Sequence, residues 1–225
     1  MNESLLSHTT DNSIASKETE VNSSYESQTS KETDLKNQII NAITLNLKDI
    51  INDNKNNGRK EKHDRFYISF IPPISLSDYI KRLLKYSKLD ISTLIISIIY
   101  IDRFCNKNKY VLTPNNIYRI LLSACLLSLK FNEDIDVNYK EYAEIASVTV
   151  EDLQNLEFYM YFKLHFSLFV KYDLYKSYYD YFVNYTIPKN GKDYWLYFII
   201  IYSIMNRQFF FFMNINIIWK DVLLI

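Results

Sequence analysis

The chain has 225 residues, and 26 basic side chains balance 26 acidic ones, so no global charge draws it toward nucleic acid or an anionic membrane. Its two glycines, Gly58 and Gly191, cannot build a Gly-rich phosphate cradle, which argues against P-loop, Rossmann and kinase-type nucleotide sites. Four prolines and few turn residues in the middle of the chain favour an all-helical domain.

Residues 1–36 are polar, rich in Ser, Thr and Glu, and lack a hydrophobic period, so they are expected to be disordered. Within them Ser23 and Thr29 each have a glutamate three residues on, which suits either an acid-directed kinase or an ordinary solvating tail. Residues 37–58 read as an amphipathic helix, with Ile39, Ile43, Leu47 and Ile50 or Ile51 on one face. A polar linker at 59–65 leads to the main domain, expected to span 66–187.

That domain opens on "FIPPIS", an extended segment, because a proline disfavours helix in the residue before it. Ser75 or Ser77 then caps a helix carrying Tyr79, Ile80, Leu83 and Leu84. Ser92 is expected to cap a second, through "TLIISIIYIDRFC", which is apolar nearly all round and therefore central. Thr113 and Pro114 mark the start of a third that runs to about Phe131. A short helix covers Tyr139–Ala146, and Thr149 with Asp152 caps a fifth that reaches about Phe162. An aromatic-rich helix follows "SLFVKYDLYKSYYDYF".

The C-terminal residues 188–225 are strongly apolar, with Asn206, Arg207 and Gln208 between two runs. Each run is shorter than the ~20 residues that span a bilayer. A helix packed on the domain is preferred to a membrane span, and translated A/T-rich non-coding DNA would give a similar composition.

Cys105 and Cys125 lie in apolar helical stretches and read as buried thiols of a reducing compartment. With no N-terminal apolar leader, a cytoplasmic or nuclear location is expected. His8, His63 and His165 have no ligand spacing with the cysteines, and no metal or cofactor is expected. The acidic pairs Glu133–Asp134 and Glu151–Asp152 fit helix termini, and no nucleophile–base arrangement stands out.

Three charges lie on or beside apolar faces. Asp102 shares a stripe with Ile95 and Ile99, Lys130 with Ser123 and Leu127, and Glu157 with Tyr161 and Leu164. Lys130 and Glu157 either pair with each other inside the fold or complete their hydrogen bonds with a partner.

At these residues the sequence resembles a cyclin box. "LIISIIYIDRFC" is similar to the second box helix, "LLSACLLSLKFNED" to the third, and "VEDLQNLEFYMYFKLHFSLFV" to the fifth with its exit. The order "FIPPIS…YIDR…LTPNNIYRILL…KFNED…NYKEYAEIASVTVEDLQNLE" is closest to the P/U-type, phosphate-signalling cyclins. The resemblance implies an all-α fold: a five-helix cyclin box with an extra N-terminal helix and a C-terminal apolar helical extension.

It also implies a non-catalytic regulatory subunit that forms a heterodimer with a cyclin-dependent protein kinase and docks on the kinase C helix. Carried over by position, Lys130 and Glu157 match the lysine–glutamate pair that meets kinase backbone. Leu127, Phe131, Tyr161, Phe166 and Leu168 match the apolar contacts around it. The arginine that many cyclins pair with the residue at Asp102 falls near Pro73 here, which leaves Arg82 as a substitute partner. Two other functions remain: a cyclin-fold transcription adaptor, and a membrane-tethered helical adaptor without a kinase.

Overall fold

A computed structural model describes residues 7–58, 63–87, 89–133 and 136–185, with side chains from residue 30 onward. The described residues form seven helices and no strand: α1 (Ser7–Asn56), α2 (Leu76–Tyr86), α3 (Ile91–Asn108), α4 (Ile117–Asn132), α5 (Tyr139–Ala146), α6 (Val150–Lys163) and α7 (Tyr172–Val183). The apolar segment 188–225, Asp134, and the side chains of Ser23 and Thr29 lie outside this description.

The centre is α3 against α4, the most extensive contact of the fold, with α6 across α4. α3 is buried along most of its length because its apolar residues do not keep to one stripe. The face of α4 carries Ser123, Ala124, Cys125 and Ser128, small residues that let the helices approach closely. Their hydroxyls are not stranded, since Ser128 Oγ donates to the Thr93 carbonyl at 2.8 Å and Ser123 Oγ to that of Arg119 at 2.8 Å.

Around this centre α5 packs on α2 and α6, α7 packs on α3, and α1 packs on both α7 and α2. On α1, Ile39, Ile43, Leu47 and Ile51 are buried, as their helical spacing predicts. Gln38 Nε2 donates to the Val183 carbonyl at 2.6 Å and Asn46 Nδ2 to the Tyr181 hydroxyl at 3.0 Å, tying α1 to α7. α1 also extends N-terminally through the polar stretch for which the sequence predicts no order. Among residues 30–38 only Leu35 is half-buried against the core, so packing holds this helix from Leu35 onward.

Helix starts differ from the sequence expectation at two places. The cap of α3 is Asp90, not Ser92: Asp90 Oδ1 accepts from the Thr93 amide at 2.7 Å, and its negative charge suits a helix N-terminus. Pro114 does not open α4 but sits in a turn, where the Thr113 carbonyl accepts from the Asn116 amide. The Asn116 side chain accepts in return from the Thr113 amide at 2.9 Å, and the helix begins at Ile117. Of the two caps expected for α2, Ser75 serves and Ser77 does not, and Thr149 caps α6 as expected, through the Asp78 and Asp152 amides.

The segment just before the helices is built into them. Phe66 is fully buried among the rings of Phe104, Tyr110 and Tyr159. Asp64, assigned by sequence to the linker, accepts from the Tyr110 hydroxyl at 2.7 Å and the Tyr159 hydroxyl at 3.2 Å. Ile68 exchanges two bonds with Asn115: its amide donates to the Asn115 carbonyl, and Asn115 Nδ2 donates back at 2.8 Å.

Candidate functional site

Lys130 lies in the last turn of α4, where a cation is favoured by the carbonyl end of the helix. Glu157 lies mid-way along α6 on the face that carries Leu153, Leu156 and Met160, and is 9% exposed. Because α6 crosses α4, the two meet: Lys130 Nζ to Glu157 Oε1 is 2.7 Å.

A third side chain closes the arrangement. Asn138 caps α5 by accepting from the Lys140 and Glu141 amides, and this starts the helix at Tyr139. α5 packs on α6, so the Tyr139 hydroxyl reaches the ion pair. It accepts from Lys130 Nζ at 2.7 Å and donates to Glu157 Oε2 at 2.5 Å. Lys130 Nζ therefore sits at the hydroxyl edge of the Tyr139 ring, 5.1 Å from its centre. Burial pulls the Lys130 ammonium down, but its bonds to Glu157 and Tyr139 outweigh this and leave its pKa raised. Burial and the bond to Glu157 raise that of Tyr139.

The surroundings are apolar and open. Phe131 beside Lys130 is 51% exposed, and Phe166 is 54% exposed with its ring edge-on to Tyr161 at 4.9 Å. Leu127 and Leu168 are buried, so they supply packing beneath this surface rather than exposed area. Four of the seven expected residues thus reach the surface wholly or in part (Lys130, Phe131, Tyr161 and Phe166), while Glu157 is buried with Leu127 and Leu168.

The exit from α6 is set by α3. Arg103 donates to the carbonyls of Ser167 at 2.6 Å and Phe169 at 3.2 Å, and Tyr100 donates to that of Leu168 at 2.8 Å. Lys107 and Asn108 add bonds to the carbonyls of Leu164 and Lys163. This clamp holds a turn in which His165 and Phe166 both take the left-handed conformation, at φ 56° and 58°. Two such non-glycine residues in succession are strained, and the bonds of the turn hold them there.

Arg82, the substitute partner that the sequence offers for Asp102, does not pair with it. The Asp102 carboxylate faces α7, where Tyr178 donates to Oδ2 at 2.6 Å. Arg82 instead lies on the exposed face of α2, beside Asp78, Tyr86, Glu144 and Ile145. Burial pushes the Asp102 carboxyl up to about 6, with the Tyr178 bond drawing it part of the way back.

Sequence reasoning missed Tyr139, Arg103 and the exposed phenylalanines Phe158, Phe162 and Phe169. Tyr100, Arg103 and Lys107 stand at i, i+3 and i+7, which marks one face of α3. Phe158 and Phe162 stand at i, i+4, away from Leu153, Leu156 and Met160. Nothing in the spacing of Tyr139 points to Glu157, because the contact joins two different helices.

Comparison with known proteins fits this geometry. A family model described as Cyclin matches residues 3–168. The chain is 32% identical over 105 residues to Cyclin-U2-1 of Arabidopsis thaliana, covering 44% of this chain and 47% of that protein. It is 36% identical over 97 residues to Cyclin-U3-1 of the same plant, covering 43% and 44%. To Cyclin-P3-1 of Oryza sativa subsp. japonica it is 26% identical over 120 residues, covering 53% and 50%. The chain therefore spans about half the length of these curated relatives. No helix among the described residues is long and apolar enough to cross a membrane.

Proposed function

The chain belongs to the cyclin family, of the P/U type, and we propose that it is the activating, non-catalytic subunit of a cyclin-dependent protein kinase. The observation that carries this reading is the Lys130–Glu157 pair, partly buried, with exposed Phe131 next to Lys130 on α4 and exposed Phe166 packed ring to ring on Tyr161, one turn along α6 from Glu157. A monomer gains little by holding such a pair at its surface next to uncovered aromatics. A partner that covers the rings excludes water from the pair and strengthens every bond it makes there.

The kinase C helix is the surface that the resemblance supplies. Docked on α4, α6 and the exit turn, the chain would hold that helix in its inward position, so that a kinase glutamate reaches the ATP-anchoring lysine. The chemistry stays in the kinase, and the chain contributes shape and hydrogen bonds.

Affinity capture of the full chain from its source cells, with the captured proteins identified by mass spectrometry, tests the reading. A protein kinase recovered in near-equal amount supports it; capture without any kinase rejects it.

A further inference from the structure

The ring formed by Lys130, Tyr139 and Glu157 can be counted donor by donor. An ammonium has three N–H donors, and a phenol has one. Lys130 spends two of its three on Tyr139 and Glu157, and Tyr139 spends its only one on Glu157. Both carboxylate oxygens are therefore engaged from within the chain. The Glu157 side chain is 11% exposed, against 39% for that of Lys130. The ammonium is thus the more exposed of the two charges, and these bonds leave one of its three N–H donors over.

We propose that Tyr139 is a positioning residue of the docking surface: it locks Glu157 and Lys130 into a closed ring whose one spare donor, the third N–H of Lys130, meets a peptide carbonyl of the partner. This rests on the kinase-docking reading above and adds to it a residue and a division of labour. Lys130 is the contact, and Glu157 and Tyr139 hold it.

The physical case is preorganisation. A free lysine side chain loses rotamer freedom when it is fixed against a partner. Here two acceptors on two other helices, α5 and α6, fix the ammonium before any partner arrives. A phenylalanine would keep the Tyr139 ring and its place at the start of α5. The hydroxyl alone supplies the link to Glu157, so Tyr139→Phe removes the lock and leaves the packing.

The test uses the full chain and the kinase subunit that co-purifies with it. Binding is measured for the wild type and for Tyr139→Phe, alongside the Lys130 Nζ signal in 15N-lysine spectra of each free chain at low temperature. The expected result has three parts: a cooperative melt at a modestly lower temperature, affinity lower by about tenfold, and a Lys130 signal broadened by faster exchange. Glu157→Gln, which opens the ring from its other side with Tyr139 intact, is expected to broaden the same signal and to weaken binding. Equal affinity of Tyr139→Phe and wild type overturns the inference and leaves the docking reading standing. So does an unmoved Lys130 signal in either variant. Failure of the wild type to recover any kinase overturns the docking reading, and this inference with it.

Discussion

The hydroxyl of Tyr178 on α7 donates to Oδ2 of Asp102 on α3 at 2.6 Å, joining residues 76 positions apart. The bond fixes the last described helix to the central one and leaves a desolvated carboxyl between them. Burial raises its pKa from 3.8 to about 6, so folding favours the protonated form.

The consequence is a pH dependence of known sign. Below about pH 4 the group is protonated in both folded and unfolded chains and costs nothing. Between pH 4 and 6 the unfolded chain ionises first, and stability falls; above that the cost is constant, on the order of 2–3 kcal/mol. Asp102→Asn keeps an acceptor for Tyr178 and removes the titration. Its stability relative to wild type, by urea unfolding, is expected to rise from pH 4 to 6 and then level. A difference independent of pH contradicts the assignment.

Arg103 holds the exit turn through two carbonyls, those of Ser167 and Phe169. Arg103→Met keeps the apolar stem and removes both bonds, and is expected to cost about 1–2 kcal/mol. Hydrogen exchange is expected to speed up across residues 164–170, which include the strained His165 and Phe166. Arg103→Lys is expected to restore only part, because one ammonium does not reproduce the guanidinium fork. Full rescue by lysine would show that charge alone holds the turn.

Phe66 fills the space between Phe104, Tyr110 and Tyr159 ahead of the first helix of the domain. Phe66→Ala is expected to lower stability by about 3–5 kcal/mol in urea unfolding, and Phe66→Leu by less than half of that. A cost under about 1 kcal/mol for the alanine variant would make this segment a dispensable linker.

Much of this fold was legible in the sequence because its helices carry local signatures. Ser75, Thr149 and the Tyr139–Ala146 segment were readable from capping chemistry and apolar spacing alone. The start of α4 was not, since Thr113–Pro114 fits a turn as well as a helix cap, and the Asn116 side chain decides between them. At the candidate site, Lys130 and Glu157 stood out as charges on apolar faces. Tyr139 did not, because a half-buried tyrosine at a helix start is unremarkable until α5 is seen lying on α6. The partner of Asp102 escaped for the same reason: Tyr178 is one of several tyrosines on α7, and only the packing of α7 on α3 selects it.

The central claim is that the surface around Lys130 and Glu157 binds a protein kinase. Its most direct test is kinase recovery by the full chain carrying Lys130→Ala or Glu157→Ala, with folding followed by circular dichroism. The account predicts that both variants retain the helical spectrum and a cooperative melt, and that both lose the kinase recovered by the wild type. Wild-type levels of kinase on both variants would contradict it.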